Sequence, residues 1–174
     1  MAVRRKPSKI VVHDKTFDVY ANNTGRKFTF DIYLLEVFKG RAWDECGTRG
    51  YLHACIGGIG HVYAHHIVIG CPLKGYCVDH IDRDITNNLA SNLRVVSYSQ
   101  NHGNKTMLDS NTSGYKGVSW RKDRKKWRAY IKHKGKFISL GHYDNPIDAA
   151  LAYDNAALEY YEECALTNKK LGLI

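Results

Sequence analysis

Apolar residues fall along this chain in short runs separated by polar turns. That pattern predicts many short strands and few helices. Strands are expected at residues 10–12, around 17–20 and around 27–30, followed by a helix over 31–38. Residues 51–55 and 61–63 flank the glycine-rich IGGIG and read as a hairpin. Those glycines lack the GxxxxGK[ST] spacing of a phosphate loop. Residues 64–70 (AHHIVIG) read as the start of a helix.

The next stretch has a different texture. Residues 75–79 (GYCVD) predict a short strand with Val78 as its buried residue. Residues 81–92 are polar and rich in Asp and Asn, so they must loop. Residues 93–96 (LRVV) form a second strand. Ser97 then reads as a helix N-cap with Gln100 at the third helical position, a capping box. Asn101 falls in the first or second turn of that helix.

Residues 105–112 form a polar linker. Beyond it, strands are expected at 115–121, 127–133 and 136–140, joined by a charged turn at 122–126 and by Lys134-Gly135. A helix follows with Asn145 as N-cap, Pro146 at its first position and Asp148 at its third. Ile147, Ala150, Leu151, Ala157, Leu158 and Tyr161 approximate one face, and the many alanines let the helix lie close on a sheet. The fold class expected is α+β, in two small domains.

At 174 residues and 44% hydrophobic composition the chain can build a core. Its formal charge of +9 points to a polyanionic partner, nucleic acid first. Residues 113–143 carry ten Lys or Arg against one Asp, a net charge as large as that of the whole chain. No apolar run approaches 18 residues and MAVRRKPSK has no apolar core, so neither a membrane span nor a secretory leader is expected, and the protein is expected in the cytoplasm. The basic residues Arg4, Arg5, Lys6 and Lys9 read equally as a phosphate-seeking arm or a solvated tail. The five cysteines are scattered and odd in number, which fits free thiols; CPLKGYC with His65 or His66 is a poor zinc spacing.

Phosphodiester hydrolysis needs an activated nucleophile, a stabilised leaving group and charge neutralisation at the phosphate. His80 is a suitable general base, since an imidazole can take a proton from water near neutral pH. Asp79 and Asn101 offer hard oxygen donors that suit Mg²⁺ or Mn²⁺. The motif VDHIDRDITNNLASNLR, with AHHIV before it and Asn101 on the helix after it, resembles the HNH nuclease motif, the ββα-metal fold, in the branch of phage and intron homing endonucleases. The positions that carry the resemblance are Asp79, His80, Asp82, Asn87, Asn88, Asn92, Arg94 and Asn101, within roughly residues 50–105. It implies Asp79 and Asn101 as metal ligands and His80 as base. It adds Asn92, holding the loop that presents His80, and His65 or His66, buttressing the site or touching a phosphate.

The C-terminal sequence resembles the DNA-binding domain of plant ethylene-response factors, the Apetala-two type. YKGVSW, KKWRAYI, SLGHYD and DAALAYDNAAL carry the resemblance over about 50 residues. It implies a three-stranded antiparallel sheet packed on one helix, with DNA contacts at Lys116, Arg121, Tyr130 and Lys132. Charge and aromatic interleaving add Trp120, Arg124, Arg128 and Lys136. Departures at Lys116, Ser119 and Ser139 keep the family's target sequence from being carried over.

These readings combine into an HNH nuclease domain over residues 1–105 (motif core 61–105), a linker at 106–112 and an Apetala-two-like domain at 113–174. The activity expected is metal-dependent, site-specific cleavage of double-stranded DNA, one strand per active site, in a phage-infected bacterial host. Mg²⁺ or Mn²⁺ is the expected cofactor, with no small-molecule cofactor and a monomer acting on DNA. The alternatives are a non-catalytic DNA-binding regulator and, more weakly, an RNA-binding protein.

Overall fold

The computed structural model describes residues 5–107 and 109–174. The part of the basic arm at residues 1–4 lies outside the described residues. Contacts divide the chain into two compact units, Met1–Val95 and Val96–Ile174.

In the first unit, β1 (Ile10–Val12), β2 (Thr16–Tyr20) and β3 (Lys27–Asp31) form an antiparallel sheet in the order β1-β2-β3. Phe17 and Val19 of β2 pair with Phe30 and Phe28 of β3, so alternation sends all four to one buried face. A 3₁₀ turn (Ile32–Leu34) and the short α1 (Leu35–Phe38) replace the single helix expected over 31–38. Phe38 packs on Phe17 and Phe30 and stacks at 4.4 Å on Trp43, whose indole N–H donates to the Phe38 carbonyl. A second sheet follows: β4 (Asp44–Cys46), which sequence reading missed, then β5 (Tyr51–Ile56) and β6 (Gly60–Tyr63). IGGIG forms the hairpin turn, as expected. Leu52 and Ala54 of β5 and Ala64 of α2 (Ala64–Ile69) join the same aromatic core. His65 and His66 lie on this helix, where the sequence reads one.

The unit closes with β7 (Tyr76–His80), paired with β8 (Leu93–Ser97) in a two-stranded sheet. The expected burial pattern of β7 is corrected here. Val78 is only half-buried, while Asp79 and His80 are both buried.

The second unit begins inside β8. α3 (Tyr98–Gly103) starts at the expected capping box: Ser97 accepts from the Gln100 amide while Gln100 reaches back to the Ser97 amide. β9 (Val118–Arg121), β10 (Lys126–His133) and β11 (Lys136–Tyr143) form an antiparallel sheet with β10 in the centre and a bulge between Ala129 and Tyr130. α4 (Pro146–Tyr161) packs on it, with Asn145 capping the Ile147 amide at 2.9 Å.

The buried face of α4 differs from the one expected. Ala149, Ala150, Tyr153, Ala156, Ala157 and Tyr161 face inward, whereas Ile147, Leu151 and Leu158 are exposed. Small residues win the inner face because backbone proximity, not side-chain volume, sets the contact. Gly117 shows the same crowding: at φ 75°, a Cβ there would stand 1.9 Å from the Tyr153 ring. Asp154 is buried and accepts from the Asn168 and Lys169 amides, which pins the C-terminal segment to the helix. Among the described residues no helix is long and apolar enough to cross a membrane.

Candidate functional site

The polar loop between β7 and β8 is held from two sides. Inside it, the Asn92 amide nitrogen donates to Asp82 Oδ1 and to the Asn87 carbonyl, both at 2.8 Å, and Asn92 Oδ1 accepts from the Asp82 amide at 3.0 Å. Outside it, the edge of β3 takes up the loop backbone. Thr29 donates to the Thr86 carbonyl and accepts from the Asn88 amide, each at 2.9 Å, and Asp31 accepts from the Ala90 amide at 2.7 Å. The N-terminal sheet, in which the sequence shows no chemistry, thus anchors the loop. Burial alone would raise the Asp82 carboxyl, but hydrogen bonds from Asp84, Asn92 and Asn87 hold it below its ordinary value.

Asn88 is the result of that anchoring. It is fully enclosed, and its amide nitrogen donates to the Ile85 and Thr86 carbonyls at 3.1 and 3.2 Å. Its Oδ1 must therefore point the other way, where it meets Nε2 of His80 at 3.3 Å. An amide oxygen only accepts, so in the neutral ring Nε2 carries the proton and Nδ1 carries the lone pair. Burial lowers the His80 pKa below 6.5, opposed by Asn88 and by Asp82, Asp79 and Asp84. The ring is neutral near physiological pH, the state in which it can accept a proton. Asn88 was recognised in the motif but given no role; nothing in the sequence separates it from Asn87 and Asn92.

Asp79, the neighbouring residue on β7, is buried and paired to Arg94 of β8. Arg94 donates to Asp79 Oδ2 from Nε at 3.0 Å and from Nη2 at 2.8 Å. His65 lies behind His80, with ring centroids 5.8 Å apart, and also contacts Tyr51, Tyr63 and His66. Burial, with His66 and His80 close by, pushes its pKa down to about 3. Such a ring is neutral at neutral pH, and it packs behind His80. Asn101 lies on α3, in the second unit, whereas Asp79 and His80 belong to the first.

Asp79 and Asn101 supply a carboxylate and an amide oxygen, hard donors that fit Mg²⁺. Among the described residues no three His, Cys, Asp or Glu side chains converge on one point. A carboxylate and an amide oxygen are donors of the kind taken by an ion that keeps several of its waters.

In the second unit the register sorts the expected DNA contacts onto two faces. Ala129 and Ile131 of β10 are buried with Val118 toward α4, so Arg128, Tyr130 and Lys132 point to the open face. Arg128 sits over the Tyr130 ring at 5.3 Å and Lys132 over Phe137 at 5.4 Å, with the two rings 5.9 Å apart. Arg121 pairs in register with Lys126 beside them and is bridged to Asp123 at 3.0 Å. Arg124 is exposed in the β9–β10 turn. At the Lys132 end a cavity of about 450 Å³ opens, lined among others by His102, Lys105, Lys116, Lys132, Tyr130 and Phe137. Burial and the cations Lys105, Lys132 and Lys116 hold His102 below its ordinary pKa.

Three expected contacts lie elsewhere. Trp120 stands opposite Trp127, edge-on at 5.0 Å, on the α4 side of the sheet. Lys136 pairs with His133 at the end of the sheet, on that same side by register. Lys116 is buried, its ammonium donating to the Gly103 carbonyl at 2.7 Å and the Leu166 carbonyl at 2.9 Å. Charge and the resemblance together put these residues on one surface; the strand parity separates them.

Comparison with known proteins bears on both units. A family model described as HNH endonuclease matches residues 61–102. A model described as AP2 domain matches residues 113–163. Protein 3.8 of Escherichia phage T7 is 40% identical over 76 residues, which are 44% of this chain and 63% of that protein. The chain thus spans less than two thirds of that relative's length. The chain is thus similar to an HNH endonuclease domain over residues 61–102 and to an AP2 domain over residues 113–163, in that order.

Proposed function

We propose that this protein is a metal-dependent DNA endonuclease of the homing type, with a ββα-metal site formed by β7, β8 and α3. The observation that carries the reading is the contact of Asn88 Oδ1 with His80 Nε2 at 3.3 Å. Asn88 Oδ1 accepts a hydrogen bond from Nε2–H, which would leave Nδ1 as the atom that accepts the proton of an attacking water. Asp79 and Asn101 would hold one Mg²⁺ or Mn²⁺, which when bound neutralises charge on the scissile phosphate. Arg94 orients Asp79, Asn92 holds the loop that presents His80, and His65 packs behind the ring. The C-terminal sheet would hold the duplex, through Arg121, Arg124, Arg128, Tyr130 and Lys132, so that the cut falls at a chosen site. One site per chain would cut one strand.

A supercoiled plasmid carrying phage genomic fragments tests this, with Mg²⁺ or EDTA, for the wild type and for His80→Ala. Open circles should form only with metal, and the variant should lose about 10²- to 10⁴-fold in rate while binding DNA normally. Retarded but uncut DNA for both proteins would sink the nuclease reading.

That outcome would favour a second reading, a DNA-binding regulator. The Arg94–Asp79 pair is the observation behind it, because the guanidinium already balances the carboxylate that a metal would need. Arg94→Ala separates the two readings. It leaves a regulator's affinity intact, and in a nuclease it changes the Mg²⁺ concentration at half-maximal rate.

A further inference from the structure

We propose that the nuclease helix α3 is mechanically part of the DNA-binding unit, and that Lys116 is the positioning residue that fastens it. The inference rests on the nuclease reading above, in which Asn101 of α3 is a metal ligand. At six residues α3 is too short to hold itself. Its order must come from packing, and it packs on α4 and on the turn that follows α4.

Both ends are fastened. At the C-terminal end, the Gly103 carbonyl is among those a helix leaves without an internal partner. It accepts from Lys116 Nζ at 2.7 Å and from the Leu166 amide at 3.2 Å. The same ammonium donates to the Leu166 carbonyl at 2.9 Å, so one buried cation ties α3, the turn before β9 and the segment after α4. Gly103 lies against Tyr161 so closely that a Cβ would stand 2.5 Å from the ring. At the N-terminal end, Ser99 Oγ lies 3.3 Å from His133 Nδ1 and accepts from the Lys134 amide at 3.3 Å. Tyr161 in turn donates to the Lys132 carbonyl. Lys132 and His133 belong to β10, whose other residues Arg128 and Tyr130 face the duplex in the proposed function. The strand that meets DNA is thus the strand that holds α3.

Lys116 occupies the position at which the resemblance implies a DNA contact. Here a buried ammonium needs its carbonyl partners, and turning it out would take this donor from the Leu166 carbonyl and leave Gly103 only the longer bond from the Leu166 amide. The geometry gives this cation to the helix instead of to phosphate. The consequence is that Asn101 is delivered by the unit that reads DNA, while Asp79 and His80 belong to the other unit.

The full-length protein with Lys116→Met tests this. A positioning role predicts DNA affinity within about threefold of wild type and an unchanged salt slope. At saturating protein, the cleavage rate should fall about 10- to 100-fold and the Mg²⁺ needed for half-maximal rate should rise, the range seen when a residue orienting a metal ligand is lost. Weaker, less salt-dependent binding with an unchanged saturated rate would overturn the proposal and restore Lys116 as a phosphate contact. Should Lys116→Met fail to fold, Ser99→Ala loosens the opposite end and must show the same split on a smaller scale. Hydrogen exchange separates failure here from failure of the nuclease reading. Even in a protein that never cuts, DNA must slow exchange of the amides at 98–103 together with those of β10, and Lys116→Met must abolish the protection at 98–103. Unchanged protection there overturns the proposal.

Discussion

The loop that presents His80 and the open face of the C-terminal sheet are both polar, yet they are built in opposite ways. In the loop nearly every side chain is committed: Asn92 makes three hydrogen bonds, Asn88 three, and Asp82 accepts from Asn92, Asn87 and Asp84. On the sheet the cations are exposed, stacked loosely on Tyr130 and Phe137 and bridged to few acids. In the function proposed, proton transfer needs one atom fixed to a fraction of an ångström, and buried, satisfied supports meet that need. Binding a polyanion needs charge at a surface, and mobile cations serve. Substitutions in the two regions should therefore fail differently: the first in folding and rate, the second in affinity and salt dependence.

The largest effect is expected at Asn92. Asn92→Ala removes three hydrogen bonds at a buried position and leaves the Asp82 amide without its acceptor. At about 1 kcal/mol each, the loss is roughly 2–4 kcal/mol of stability. Denaturant unfolding measures it, and a loss under about 1 kcal/mol would mean that the loop is held by β3 alone.

Next comes pH. The His65 pKa lies at about 3 in the folded chain against 6.5 for an unperturbed ring. Below pH 6.5 the unfolded chain therefore binds a proton that the folded chain refuses, and stability falls as pH drops. The expected loss from this one group is about 2 kcal/mol between pH 6.5 and 5. His80 is shifted in the same direction and adds to it. Thermal melts of wild type and His65→Gln across that range should converge at low pH; parallel curves would show that His65 is not the group responsible. Cleavage should follow the His80 ring. The rate holds above its pKa and falls as pH drops through it, so the acid limb lies below 6.5.

What the sequence shows of these two regions differs for the same reason. The capping box at Ser97, the Asn145-Pro146 helix start and the IGGIG hairpin are written in residues that touch one another locally. The choice of Asn88 as the partner of His80 is not, because it depends on where Thr29 of a distant strand holds the loop. The N-terminal sheet acts through backbone groups, which no motif marks. On the C-terminal sheet, charge reports a basic surface but not its parity. A strand starting at Val118 rather than at residue 115 leaves Lys116 outside the ladder and turned inward. Helix α4 misled in the opposite sense: Ile147, Leu151 and Leu158 look like a core stripe, but close helix–sheet approach selects alanine.

On the open face, Arg128→Ala with Lys132→Ala should weaken DNA binding about tenfold and reduce the salt slope by about 2, as expected for two lost phosphate contacts. The cleavage rate at saturating protein should not change, which is the mirror image of the loop. A fall in that rate would show that the face also shapes the nuclease site.

The smallest effect is expected at Trp120, and it bears most directly on the parity of the sheet. An exposed tryptophan among cations is the residue that composition would select as a base-stacking platform. Its register partner is Trp127, on the side where Val118 and Ala129 meet α4, and the two indoles contact edge-on. Trp120→Ala should therefore change DNA affinity by less than about twofold. It should still cost roughly 1 kcal/mol of stability, from the lost aromatic contact and its partly buried surface. Tyr130→Ala, one strand over and on the opposite face, should do the reverse. If Trp120→Ala instead weakens binding while leaving the melt unchanged, the duplex lies along the edge of β9, and the face carrying Arg128, Tyr130 and Lys132 is not the one that meets it.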